Sequence, residues 1–199
     1  MSSLRRRFVR SLFATTLLFP VFARAQGPAS PPAPAEETKR FGVGADAAFV
    51  LPIGNLADAA SIGLGALGKF EYAATPSIAV TARAGFIYHL SKDLPGGNSV
   101  GISVIPILGG IKFYPVEKST GFYLAPEAGL MDVIGRATVA TPVGSGSASS
   151  SDAKFGLVLG AGYQLGDLDF RGSLMSYDVG HFGDAMSVMA NVGYRFAQF

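Results

Sequence analysis

From residue 40 to the end of the chain, apolar and polar side chains alternate in segments of about 10–14 residues, separated by clusters of turn-forming residues. The alternation predicts strands near 40–51, 62–73, 77–90, 101–114, 121–134, 154–165, 168–178 and 185–197. The connections differ in character. Those at 74–76, 115–120 and 166–167 are tight, whereas 52–61, 91–100, 135–153 and 179–184 are mostly longer. Segment 135–153 is rich in Gly, Ser, Ala and Thr, which predicts an irregular loop. Short turns at one end, long loops at the other and both chain ends on the short-turn side are the order of a closed antiparallel transmembrane barrel.

The phase of each strand states which side chains share a face, because successive residues of a strand point to opposite faces. Phe41, Val43, Ala45, Ala47 and Phe49 share one face of the first strand, and Asp46 lies on the other with Gly42, Gly44 and Ala48. Ile62, Leu64, Ala66, Phe70 and Tyr72 oppose Lys69 and Glu71 in the second. Ile78, Val80, Ala82, Phe86 and Tyr88 oppose Thr81, Arg83 and His89 in the third. The sixth to eighth strands repeat the pattern around Lys154 and Gln164, Asp169 and Arg171, and Asn191 and Arg195. Once the charges are turned inward, the opposite face is almost wholly apolar, as expected for contact with lipid. The fourth and fifth strands are less clean, because Leu108 and Met131 fall on the inner face. Aromatic residues (Phe70, Tyr72, Phe113, Tyr114, Phe122, Tyr163, Phe170, Tyr194 and Phe196) gather near the short-turn ends, as in an interfacial girdle.

Residues 1–39 follow no such pattern. A basic start, an apolar stretch over Ser11–Phe22 and Ala23-Arg24-Ala25 form a signal peptide over 1–25, with Gln26 as the expected mature start. Residues 26–39 are Pro- and Ala-rich and read as an extended linker. The leader changes the meaning of the charge. The whole chain carries +2, but five of the 16 basic residues and none of the 14 acids lie in the first 25 residues. The remaining 11 basic residues are outnumbered by acids, so the balance gives no support to a nucleic-acid partner. With no Cys, disulfides, thiolate metal sites and a lipidated Cys are excluded.

Phe41-Gly-Val-Gly44, the Pro106…Gly109-Gly-Ile-Lys-Phe-Tyr114 strand and the ending Val192-Gly-Tyr-Arg-Phe196 resemble the small eight-stranded outer-membrane barrels of the OmpA-like, OmpX and opacity-protein type. The resemblance covers residues 40–199. It implies that Val192, Tyr194, Phe196 and Phe199 form a terminal signal read by the barrel-assembly machinery. Phe199 is a C-terminal Phe, but three residues after Phe196 it is out of phase with the outward set. The resemblance further implies surrounding outer-membrane lipid, no cofactor, and external loops, chiefly 52–61 and 135–153, as the place for a surface ligand.

Candidate chemistry is sparse. Gly63-Leu-Gly-Ala-Leu-Gly68 matches the dinucleotide-binding spacing, but a turn precedes it and an alternating strand follows, so small residues relieving crowding in a narrow barrel account for it. His89 and His181 are the two histidines, and Asp178 and Asp184 flank His181. No nucleophile spacing completes a triad, so a non-enzymatic protein is expected, with a lipid A-modifying hydrolase as a remote alternative. The inward charges say more. Asp46, Glu71, Glu127 and Asp169 can face Lys69, Arg83, Lys112, Lys154, Arg171 and Arg195. Unpaired buried charge is costly, and eight strands leave an interior just wide enough for side chains. The expectation is a plugged barrel with a structural or surface-interaction role; the excess of bases leaves a small anion channel as the alternative.

Overall fold

A computed structural model describes residues 40–95, 97–116, 120–141 and 144–199; of residues 140, 141 and 145 it describes the backbone alone. The proposed leader and linker (1–25 and 26–39) lie outside the described residues.

The chain runs β1 (Phe41–Ile53), helix α1 (Leu56–Ala59), β2 (Gly63–Ala73), β3 (Ile78–His89), β4 (Lys92–Leu94), β5 (Asn98–Phe113), β6 (Gly121–Thr141), β7 (Gly144–Leu165), β8 (Leu168–Ser176), a short 3₁₀ turn (Val179–His181) and β9 (Met186–Gln198). All pairings are antiparallel. β1 pairs with both β2 and β9, and β3 pairs with β5, so the sheet closes on itself. β4 is a side branch, a loop strand paired only with the outer end of β5. The barrel proper therefore has eight strands. A barrel leaves no free edge among its walls, so every wall strand has backbone partners on both sides.

Burial alternates with period two. In β1, Gly42, Gly44, Asp46, Ala48 and Val50 are buried while Phe41, Val43, Phe49 and Leu51 are exposed. Around the wall, Leu64, Phe86, Ile107, Leu130, Leu159, Phe170, Val188 and Val192 all face outward. A continuous apolar belt of this extent on a protein exterior is an interaction surface, and its even distribution around a closed barrel fits hydrocarbon. Tyr114 departs from the expected girdle. It follows outward-facing Phe113, so the pleat turns it into the lumen, where its ring lies 5.6 Å from that of Tyr123.

Segment 135–153 is not an irregular loop. β6 and β7 continue through it in unbroken register, from Met131↔Lys154 to Thr141↔Gly144. Ser, Thr, Ala and Val tolerate the extended backbone, and with no apolar face to bury, nothing in their side-chain pattern marks the strand. At about 3.3 Å per residue, the seven paired residues beyond Ile134 lengthen the hairpin by roughly 20 Å; β5 accompanies β6 as far as Ser99↔Thr138, and the tip beyond is paired between β6 and β7 alone.

The lumen is filled in two storeys. Near the short turns it is polar and charged; toward the loops it is apolar, built from Val50, Leu67, Ile87, Val104, Leu108, Met131, Val158, Met175 and Met189. The inward Leu108 and Met131 thus belong to a second core. The glycines of β2 allow close approach: a side chain at Gly63 would run into the His89 ring.

Candidate functional site

Two arrangements of charged and polar side chains are built on this frame, one in each half of the lumen.

In the short-turn half, β1, β2, β3, β5, β6, β8 and β9 each contribute at least one charge, and these form a single alternating chain. Arg195 meets Glu71 at 3.2 Å, Glu71 meets Lys112 at 2.6 Å, and Lys112 meets Asp169 at 2.7 Å. Asp169 meets Lys69 at 3.0 Å, Lys69 meets Asp46 at 3.0 Å, and Asp46 meets Arg83 at 2.9 Å. Arg83 reaches Glu127 at 3.1 Å, and Glu127 ends on Arg171 at 2.7 Å. Uncharged partners complete the chain. The Tyr123 hydroxyl donates to Asp169 at 2.5 Å, and Arg171 Nη2 donates to the Ala125 carbonyl at 3.1 Å. The Lys112 ammonium also lies 4.3 Å from the centre of the Tyr123 ring. Such a cluster holds together where opposite charge and hydrogen-bond partners replace lost water; Asp46 and Arg83 rely on the charge contact, since Asp46 Oδ1 and Arg83 Nε have no hydrogen bond among the described residues.

Lys154 stands apart from that chain. It is one of ten inward charges named from the sequence, yet it sits in the loop half, where Asp178 accepts from it at 2.8 Å and Asp152 lies at 3.5 Å. Asp178 also accepts from the Gly180 backbone N–H at 2.8 Å and lies 3.1 Å from His181 Nδ1. The Lys154 ammonium, followed by His181, holds the Asp178 carboxyl down to about 2. No serine or threonine hydroxyl is hydrogen-bonded to His181 among the described residues, so the Asp178–His181 pair is not extended to a nucleophile. His89 is buried, with Nδ1 2.8 Å from the Ser61 carbonyl oxygen and Nε2 3.1 Å from the Tyr177 hydroxyl.

The end of the chain explains the phase of Phe199. Up to Arg195, β9 pairs regularly with β1, and Arg195 opposes Gly44; then the register shifts, so that Ala197 opposes Val43. The extra residue at Phe196 is a β-bulge, and one inserted residue reverses the faces of everything after it. Phe199 therefore returns to the outward set. Its ring stacks on Phe41 at 5.8 Å, and its carbonyl accepts from the backbone N–H groups of Arg40 and Phe41 at 3.1 and 2.9 Å. Val192, Tyr194 and Phe196 are all exposed on the outer face.

No protein-family model and no characterised protein matches the chain in sequence. Solved structures do match. Ail, the attachment invasion locus protein of Yersinia pestis, superposes with a TM-score of 0.52 at 14% identity, covering 79% of this chain and 97% of the other. A second structure of Ail, in complex with the heparin analogue sucrose octasulfate, gives a TM-score of 0.50 at 16% identity over the same shares. This chain has the fold of the small outer-membrane β-barrels. At that identity the likeness concerns the barrel alone, and the contents of the lumen must be read from this chain.

Read so, the barrel holds groups that the charge pattern did not single out. Tyr123, Tyr177 and Ser187 carry hydrogen bonds in the lumen, and Met175 and Met189 are fully buried in its apolar storey. Their inward phase was available from the alternation of β6, β8 and β9. What hid them is that an apolar residue on the inner phase looks the same as one on the outer phase when a strand is read by itself.

Proposed function

We propose that the protein is a non-enzymatic component of the outer membrane, exported by the leader at 1–25, in which the barrel is an inert scaffold and the loop end is the interaction surface. The observation that carries this is the β6–β7 hairpin. It projects beyond the apolar belt, its described side chains are mostly small or polar, and Val139 is the single large apolar side chain exposed among those described at 135–153. Binding residues placed on projecting loops over a rigid scaffold are a common division of labour. The Asp178–His181 pair, without a hydroxyl partner, gives no reason to assign hydrolysis.

Ail is seen with a heparin analogue, a sulfated polyanion. The loop end of this chain is acidic. Asp58, Asp93, Asp132, Asp152, Asp178 and Asp184 outnumber Lys92, Arg136 and Lys154 there. A neutral or cationic surface fits this end better than a polysulfate.

The test is fractionation of cells producing the full chain, with a protease site inserted after Gly144. Recovery with the outer membrane, a heat-dependent shift in gel mobility, and cleavage on intact cells are expected. A soluble protein, or a site cut only after lysis, would overturn the reading. Replacing 136–151 by a two-residue turn should leave assembly intact and lower the attachment of producing cells to coated surfaces.

A further inference from the structure

The loop end of the lumen encloses a cavity of about 380 Å³, open toward the loops. That lies within the about 300–1,000 Å³ typical of small-ligand sites. Its walls are apolar: Leu56 from α1, Ile102 and Val104 from β5, Val133 from β6, and Ala185 before β9. Its floor carries His89 and Tyr177, and their polar atoms are already engaged. With Nδ1 2.8 Å from a carbonyl oxygen, the His89 ring donates there and offers Nε2 to the Tyr177 hydroxyl, which also accepts from Ser187 at 3.5 Å. A ligand body in the cavity therefore meets hydrocarbon and ring surfaces rather than free donors or acceptors.

The rim decides the head group. Its titratable members are Lys154, Asp178, His181 and Asp184, with His89 below them. Lys154 is held between Asp178 and Asp152, so an incoming anion would have to displace carboxylates. Asp178 is occupied by Lys154, His181 and the Gly180 N–H. Asp184 accepts from Asn55 Nδ2 at 2.6 Å but meets no cation among the described residues. Asp184 is thus the rim carboxylate that no cation meets among the described residues, and it is the one open to a positive head group.

From this geometry we propose that the mouth of the barrel is a binding site for a small apolar amine, its aromatic or alicyclic body in the cavity and its ammonium group against Asp184. The site lies inside the mouth, away from the β6–β7 hairpin, and does not depend on what the hairpin binds.

The experiment uses the full mature chain in phospholipid nanodiscs with methyl-labelled Ile, Leu and Val. Tryptamine and indole-3-acetate are the probes, sharing one body and differing in the sign of the head. Tryptamine should shift the Ile102, Val104 and Val133 methyls saturably and leave lipid-facing Leu159 and Val192 unmoved; indole-3-acetate should not bind. Asp184→Asn keeps the Asn55 contact and should weaken tryptamine by about threefold to fivefold, the scale of a partly exposed ion pair. Ala185→Trp should fill the mouth and abolish the shifts. Unsaturable shifts that include Leu159 and Val192 would mean partition into the bilayer and overturn the proposal. So would equal binding of the two probes, or unchanged affinity in Asp184→Asn.

Discussion

Asp169 is the carboxylate whose loss the lumen should tolerate least. It accepts from Lys69, Lys112 and Tyr123, all buried. Asp169→Ala leaves two ammonium groups with a partner removed and no water to replace it, an imbalance that typically costs about 3–5 kcal/mol. The measurement is urea unfolding in lipid vesicles, with Arg136→Ala on the exposed hairpin as a control expected to stay within about 0.5 kcal/mol of the parent. Equal midpoints for the two variants would mean that the ion chain is incidental. Asp178 gives a prediction of another kind. Its carboxyl is held at about 2, below the ordinary 3.8, so its ionised form is favoured in the folded state. The stabilisation is complete above 3.8 and is lost as pH falls through about 2. A carbon-detected titration of the Asp178 carboxyl should show that low midpoint, and Lys154→Met should move it up toward the ordinary value; an unmoved midpoint would take Lys154 out of the account.

At the scale of elements, legibility followed the contrast between faces. The strands with charges on one phase and large apolar residues on the other, such as β2 with Lys69 and Glu71 against Phe70 and Tyr72, could be read to within a residue or two. The outer reaches of β6 and β7 could not. Once past the belt, neither face meets hydrocarbon or a filled lumen, so Ser147, Ala148, Ser149 and Ser150 form strand through backbone pairing alone, with no alternation to mark it. The bulge in β9 was hidden for a related reason: a one-residue insertion shows only as a phase conflict between Phe196 and Phe199, and the conflict disappears when both rings lie on the outer face. Their joint exposure supports a shared part in the terminal assembly signal. Phe199→Ala removes the stack on Phe41, and Phe196→Ala removes the ring 5.7 Å from Tyr194. Each should lower the heat-modifiable fraction recovered from membranes, and the double variant should lower it most. Full recovery of the double variant would separate these rings from assembly.

For the whole molecule, the two storeys of the lumen act in series, and their order bears on conduction. An ion entering from the short-turn end meets a chain in which four acids are each already bound to bases, with Tyr114 and Tyr123 packed between them. Beyond that lie Leu67, Ile87, Met131, Val158, Met175 and Met189, all within 1% of full burial. The inner charges could be inferred from the sequence, but not the apolar seal above them, and the seal removes the channel's main attraction. A surplus of lumen bases draws anions only if a hydrated path reaches them, and stripping an ion of water among methionines costs several kcal/mol. Purified barrel in planar bilayers should therefore show no stable conductance steps at neutral pH. Asp169→Ala should remain silent as well, because it loosens the polar storey and leaves the apolar one in place. Large, stable steps from the parent protein would mean that the methionine layer is not closed in a bilayer, and the scaffold reading would give way to a pore.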